Sequence, residues 1–100
     1  MLYSISNRVN YLKGNIGVKL NNHLPELITE FEKKVGRRVK QTEIASGSGV
    51  PEGTLSRYVN GRIGSIKLEI EYKLSIFFSD KLEREIKRDD LFSFDFEETA

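Results

Sequence analysis

The chain of 100 residues has no cysteine and no tryptophan, a single histidine, a single methionine and only two prolines. Without cysteine it can form neither disulfides nor thiolate metal sites, which fits a reducing cytoplasm. The lone histidine, His23, stands at the start of a helical pattern, where it reads as a cap or surface residue. No metal-ligand cluster or nucleophile–base pair can be assembled around it. Gly47-Ser48-Gly49 lacks the Lys-Ser/Thr of a phosphate-binding loop, and Glu69/Glu71 and Asp89/Asp90 read as helix surface. No apolar run reaches the ~18 residues of a membrane span. Nor do the first residues show the charged region and unbroken apolar stretch of a signal peptide. These absences argue against an enzyme, a cofactor, a bound metal and a membrane partner.

An excess of one charge is also lacking overall, since the net charge is +1. Its distribution is uneven, however. From Lys33 to Lys67 there are eight basic residues (Lys33, Lys34, Arg37, Arg38, Lys40, Arg57, Arg62 and Lys67) against Glu43 and Glu52, giving +6. From Leu68 onward ten acidic residues face five basic ones, giving −5. The middle of the chain is therefore the place to look for an anionic partner.

Length and composition fit one domain with a modest core. Residues 1–22 alternate partially, with Val9, Tyr11 and Leu12, then Ile16, Val18 and Leu20, about Lys13-Gly14-Asn15. This predicts an N-terminal arm holding a hairpin or one short strand. Asn21 or Asn22 is placed to cap a helix over about 23–35, with Pro25 and Glu26 in its first turn. Leu24, Leu27, Ile28, Phe31 and Val35 form its inward stripe, and Gly36 ends it. Further helices are expected over about 41–47, 51–59 and 68–78, the last burying Ile70, Leu74, Phe77 and Phe78. Asp80 is expected to cap a fifth helix carrying Leu82, Ile86 and Leu91. Residues 93–100 read as an acidic tail, frayed over its last four residues, in which Phe94 and Phe96 can dock on the domain or on a second subunit.

The most informative stretch is 41–61. Ile44 and Ala45 make the inward face of a short helix, Gly49 stands where the chain must turn with positive φ, and Val50 and Leu55 point back from the next helix. Pro51 occupies the first turn, where its missing N–H matters little. This is the sequence form of a helix-turn-helix, whose second helix enters a DNA major groove.

The run Gln41-x-x-Ile44-Ala45-x-x-x-Gly49-Val50-x-x-x-Thr54-Leu55-Ser56-Arg57-Tyr58-x-Asn60-Gly61 resembles the lambda repressor/Cro-type (XRE-like) helix-turn-helix family. Ser65-Ile66-x-Leu68-x-Ile70-x-x-x-Leu74-x-x-Phe77-Phe78 is similar to that family's fourth helix, and Asp90-Leu91-Phe92 to the end of its fifth. The likeness covers roughly 24–92. It implies an all-α, compact five-helix domain over 23–92, with a possible short N-terminal β-strand or hairpin. It also implies a sequence-specific regulator of transcription, acting as a repressor on double-stranded DNA in the cytoplasm, at the nucleoid. A homodimer on two half-sites follows from the resemblance, because one short helix covers too few base pairs for specificity.

The same resemblance assigns roles. Glu52, Gly53, Ser56 and Arg57 match base-contacting positions, with Arg57 suited to guanine O6 and N7 and Glu52 to cytosine N4. Lys40, Gln41, Thr54, Asn60 and Arg62 match or surround phosphate-contacting positions, Gln41 at the positive end of its helix. Arg37 and Arg38 are further candidates for a flanking phosphate. The sequence departs from the family in three places. Gly53 replaces a long polar side chain and so reads nothing itself, the basic linker 36–40 is about two residues longer, and Glu32 and Val59 stand where relatives pair a buried arginine with a glutamate. Loss of both partners together leaves no orphaned charge, so Glu32 is expected near the surface and Val59 in the core. The competing reading is a protein-interaction module of the same fold, such as an antitoxin gripping a toxin, with the acidic C-terminal third as its partner surface.

Overall fold

The structure, a computed structural model, describes residues 16–98, with side chains described from Lys19 to Asp95. Two strands and five helices follow in the order β1 (Ile16–Asn22), α1 (Leu24–Val35), α2 (Gln41–Ser48), α3 (Glu52–Val59), α4 (Leu68–Leu82), α5 (Arg88–Leu91) and β2 (Phe92–Glu98). The protein is mainly helical with one small sheet.

α1 starts where expected, but its N-cap residue is His23, which makes no capping side-chain bond; Asn22, one residue earlier, accepts the Leu24 N–H through its Oδ1 at 3.1 Å. Leu24, Leu27 and Phe31 are buried, whereas Val35, expected on the same stripe, is exposed. Its place in the core is taken by Val39 from the linker, which Glu32 secures by accepting the Val39 N–H at 2.9 Å. Glu32 thus lies near the surface with a definite task, and Val59 is partly buried against the core.

α4 runs four residues past the expected Phe78, so Asp80 lies inside it and caps nothing. Burial of Leu82 carries the helix onward, and it stops where Glu83 turns left-handed (φ 56°). The fifth helix shrinks to the single turn 88–91, while Ile86 fills the core from the connecting loop. Glu71, expected on the surface, is buried, and Arg88 donates to its carboxylate at 3.2 Å.

The expected acidic tail is instead a strand through Glu98. β2 pairs antiparallel with β1, Leu20 opposite Phe94 and Asn22 opposite Phe92. The single-strand reading of the arm therefore holds for 16–22. The hairpin's other half, its Lys13-Gly14-Asn15 turn and the end of the tail at 99–100 lie outside the described residues. Leu24, Ile44, Leu55, Leu74, Phe78, Ile86 and Leu91 are the most deeply buried side chains, drawn from all five helices and the loop after α4. They fix the α2–turn–α3 unit on a platform of α1 and α4.

Candidate nucleic-acid interface

The turn between α2 and α3 is built from local chemistry. Gly49 adopts φ 82°, a conformation that L side chains rarely take, and its N–H returns to the Ala45 carbonyl at 2.9 Å. The Ser48 hydroxyl accepts the Val50 N–H at 3.2 Å, and Lys73 of α4 donates to the Gly49 carbonyl at 3.4 Å. Val50 and Leu55 then bury with Ile44 and Ala45 in one cluster, as expected from their spacing.

α3 is held at both ends. At its C-terminus Gly61 turns left-handed (φ 77°), so that the Gly61 and Arg62 N–H groups bond the Tyr58 and Arg57 carbonyls at 3.1 and 2.9 Å. This paired arrangement satisfies orphan carbonyls and fixes where Arg62 begins. Asn22 adds its amide, donating to the Tyr58 carbonyl at 2.8 Å, and so ties the start of α1 to the end of α3. The buried Tyr58 ring packs edge-on to Phe92 at 5.6 Å. Its hydroxyl donates to the Ser65 carbonyl and accepts the Lys67 N–H, each at 3.2 Å, which staples the 60–67 loop beside the helix. Asn22, Tyr58 and Lys73 thus position the helix, although nothing in their sequence spacing points to those partners.

The opposite face of α3 is exposed, with nothing among the described residues packed over it. Glu52, Gly53, Arg57 and Asn60 are exposed and Ser56 is half-buried. A Cβ added at Gly53 would meet nothing within 4 Å, so open space lies over the first turn. Among the described residues Arg57 reaches only the Thr54 hydroxyl, at 3.5 Å, and Asn60 the Ser56 hydroxyl, at 3.4 Å. All four residues expected to face bases therefore share one accessible side.

The phosphate candidates divide. Thr54 and Arg62 line an open cleft of about 500 Å³ between α3 and the first turns of α4, together with Arg57, Lys67 and Lys73. Glu69, the one carboxylate in that lining, is taken up by Lys73 at 3.1 Å. Lys40 and Gln41 stand apart at the start of α2 and Asn60 at the end of α3. Among the described residues, Lys40, Arg57, Arg62 and Lys67 have no carboxylate within 4 Å.

The linker arginines are already engaged. Arg37 grips Glu43 with two hydrogen bonds of 3.0 and 2.7 Å, and Arg38 lies 3.3 Å from Glu32. The Arg37 guanidinium, chiefly through its hydrogen bonds, holds the Glu43 carboxyl below the usual carboxylate range. Lys34 pairs with Glu83 at 3.6 Å. The basic segment 33–67 is thus two populations. Lys34, Arg37 and Arg38 neutralise acids of the fold, while Lys33 on α1, Lys40 at the start of α2, and Arg57, Arg62 and Lys67 beside α3 meet no carboxylate among the described residues. Among the described residues there is no group of acidic or histidine side chains arranged to hold a metal. Comparison with protein-family models, with curated proteins and with solved structures returned no match.

Proposed function

We propose that the chain is a sequence-specific duplex-DNA-binding regulator of the lambda repressor/Cro type, acting as a homodimer repressor, with α3 as its recognition helix. The observation that carries this reading is the exposed face of α3, bearing Arg57 beside Arg62 and Lys67, none of which meets a carboxylate among the described residues. A helix about 10–12 Å across fits the ~12 Å major groove. Its entry would bring Arg57 to guanine O6 and N7, Glu52 to cytosine N4 and Ser56 to either base edge. Gly53, with open space above it, lets the helix approach closely without reading a base, so DNA shape carries part of the specificity. Lys40 and Gln41 at the start of α2, and Thr54, Asn60 and Arg62 around α3, would hold the flanking phosphates and set the register.

The linker arginines take a lesser part, because a phosphate at Arg37 would have to displace the paired Glu43. Selection of bound fragments from random duplex DNA tests the reading. The expected product is a pair of half-sites about one helical turn apart. Arg57→Ala should remove ~1–3 kcal/mol of discrimination at one base pair of each half-site. Its affinity for unrelated duplex should stay near that of the parent. A protein that enriches no fragment would overturn the reading in favour of a protein-interaction module.

A further inference from the structure

A second groove, of about 760 Å³, opens between the sheet, the 63–66 loop, α4 and α5. Its walls are apolar, with Leu20 and Phe94 from the two strands, Phe92 at the foot of β2, and Ile63 and Ile66 from the loop. Three charged side chains join them: Glu71, Arg88 and Asp89, two carboxylates against one guanidinium. Glu71 is only 8% exposed. Among the described residues its carboxylate has one partner, Arg88 Nε at Oε1, which leaves Oε2 unbonded. Asp89 is exposed and meets no cation within 4 Å among the described residues. Burying a carboxylate with an oxygen unbonded costs stability, and an apolar pair in place of Glu71 and Arg88 would serve the fold as well. A groove of this size, mostly apolar with a few converging polar groups, is the common form of a small-molecule site.

We propose that this groove binds a small organic amine, an ammonium group carried on an aromatic or branched apolar body. The ammonium donates to Glu71 Oε2, and Asp89 adds its field, so that the surplus negative charge of the lining is offset. The apolar body lies against Phe92, Phe94 and the two isoleucines. An alcohol of the same shape leaves that surplus charge in place, and a carboxylate adds a third negative group beside two acids. The groove also bears on α3. Its Phe92 wall packs edge-on to the Tyr58 ring at 5.6 Å, and the Tyr58 hydroxyl donates to the Ser65 carbonyl of the loop wall at 3.2 Å. An occupant that bridges β2 and the loop therefore steadies the loop against the C-terminal end of α3. The amine is thus an effector of that helix, and its binding requires no DNA.

Titration of the full chain with phenethylamine, followed through methyl resonances by nuclear magnetic resonance, tests the proposal. The Leu20, Ile63 and Ile66 methyls should shift together and saturate with a Kd of roughly 1 mM, as suits so small a ligand, while Ile28 of α1, outside the groove, stays in place. Phenylethanol and phenylpropionate, the neutral and anionic counterparts, should bind about fivefold more weakly or less. Glu71→Gln and Asp89→Asn should each weaken the amine roughly twofold to tenfold and leave the alcohol unchanged. Asp89 is exposed, so its variant keeps the fold even where Glu71→Gln loses it. Hydrogen exchange at the Lys67 amide, which donates to the Tyr58 hydroxyl, should slow in saturating amine. Groove methyls that do not shift, or an alcohol or carboxylate that binds as tightly as the amine, would overturn the inference. So would an Asp89→Asn protein that binds the amine unchanged, or a Lys67 exchange rate that does not move. No arm contains DNA, so each of these results leaves the DNA reading to its own test.

Discussion

Replacing Gly47 with alanine should destabilise the protein, although alanine is the better helix former. A Cβ at this position lies 2.6 Å from Phe77 Cε1 and 3.2 Å from Cδ1, closer than carbon atoms tolerate. The ring has nowhere to go. Phe77 is buried, packs edge-on to Phe31 at 5.8 Å and to Phe78 at 5.2 Å, and carries Lys81 over its face at 5.8 Å. α2 must therefore lift from α4, an overpacking that costs about 1–3 kcal/mol. Helix propensity returns at most about 1 kcal/mol, less at the next-to-last residue of a helix. The net loss of about 1–2 kcal/mol should lower Tm by roughly 5–15 °C in a domain of this size. Gly53 is the internal control, because the same substitution there meets nothing within 4 Å. In the first turn of α3 it should add up to about 0.5 kcal/mol and raise Tm by a few degrees. Thermal melts followed by circular dichroism at one fixed protein concentration compare the two. A Gly47→Ala protein melting at or above wild type, or two variants moving in the same direction, would refute the close approach of α2 to α4.

Tyr58→Phe leaves the Lys67 N–H and the Ser65 carbonyl without their partner; it should cost about 1–2 kcal/mol and speed hydrogen exchange at the Lys67 amide. Glu32→Ala orphans the Val39 N–H and should cost about 1–2 kcal/mol in denaturant unfolding. Glu32→Gln, which keeps an acceptor, should recover most of that. The carboxyls of Glu30 and Glu43 are held below their ordinary value of 4.5, chiefly by hydrogen bonds from Arg84 and Arg37. Because the folded value is the lower one, their contribution is complete above the unfolded value and is lost as pH falls through the folded one. Stability should therefore decline below about pH 4.5, and Glu30→Gln with Glu43→Gln should flatten that part of a pH series of unfolding curves.

What the sequence makes legible here is what local chemistry decides. Gly49, Pro51 and Gly61 announce the ends of α2 and α3, and the spacing of Ile44, Ala45, Val50 and Leu55 already says which faces meet. The exposed residues of α3 follow from that packing alone. Longer-range facts are hidden. Asp80 looks like a cap, yet burial of Leu82 draws α4 past it, and no glycine signals the left-handed stop at Glu83. Phe94 and Phe96 alternate visibly, but the strand they pair with lies more than 70 residues earlier. Glu71 reads as surface until Arg88 arrives from α5 to neutralise it. Charge counting finds the basic middle of the chain, whereas only the folded linker separates the engaged Arg37 and Arg38 from Lys40, Arg57, Arg62 and Lys67, which meet no carboxylate among the described residues.

The salt dependence of duplex affinity tests the central claim most directly. Two or three phosphate-facing cations per half-site, from Lys40, Arg62 and Lys67, give about four to six in a dimer, hence a slope of log affinity against log salt of about −4 to −5. Affinity for the selected duplex should then fall roughly 10²–10³-fold between 50 and 200 mM salt, and Arg62→Ala should flatten the slope by about 2. No binding to any duplex at low salt, or an affinity indifferent to salt, would contradict the account.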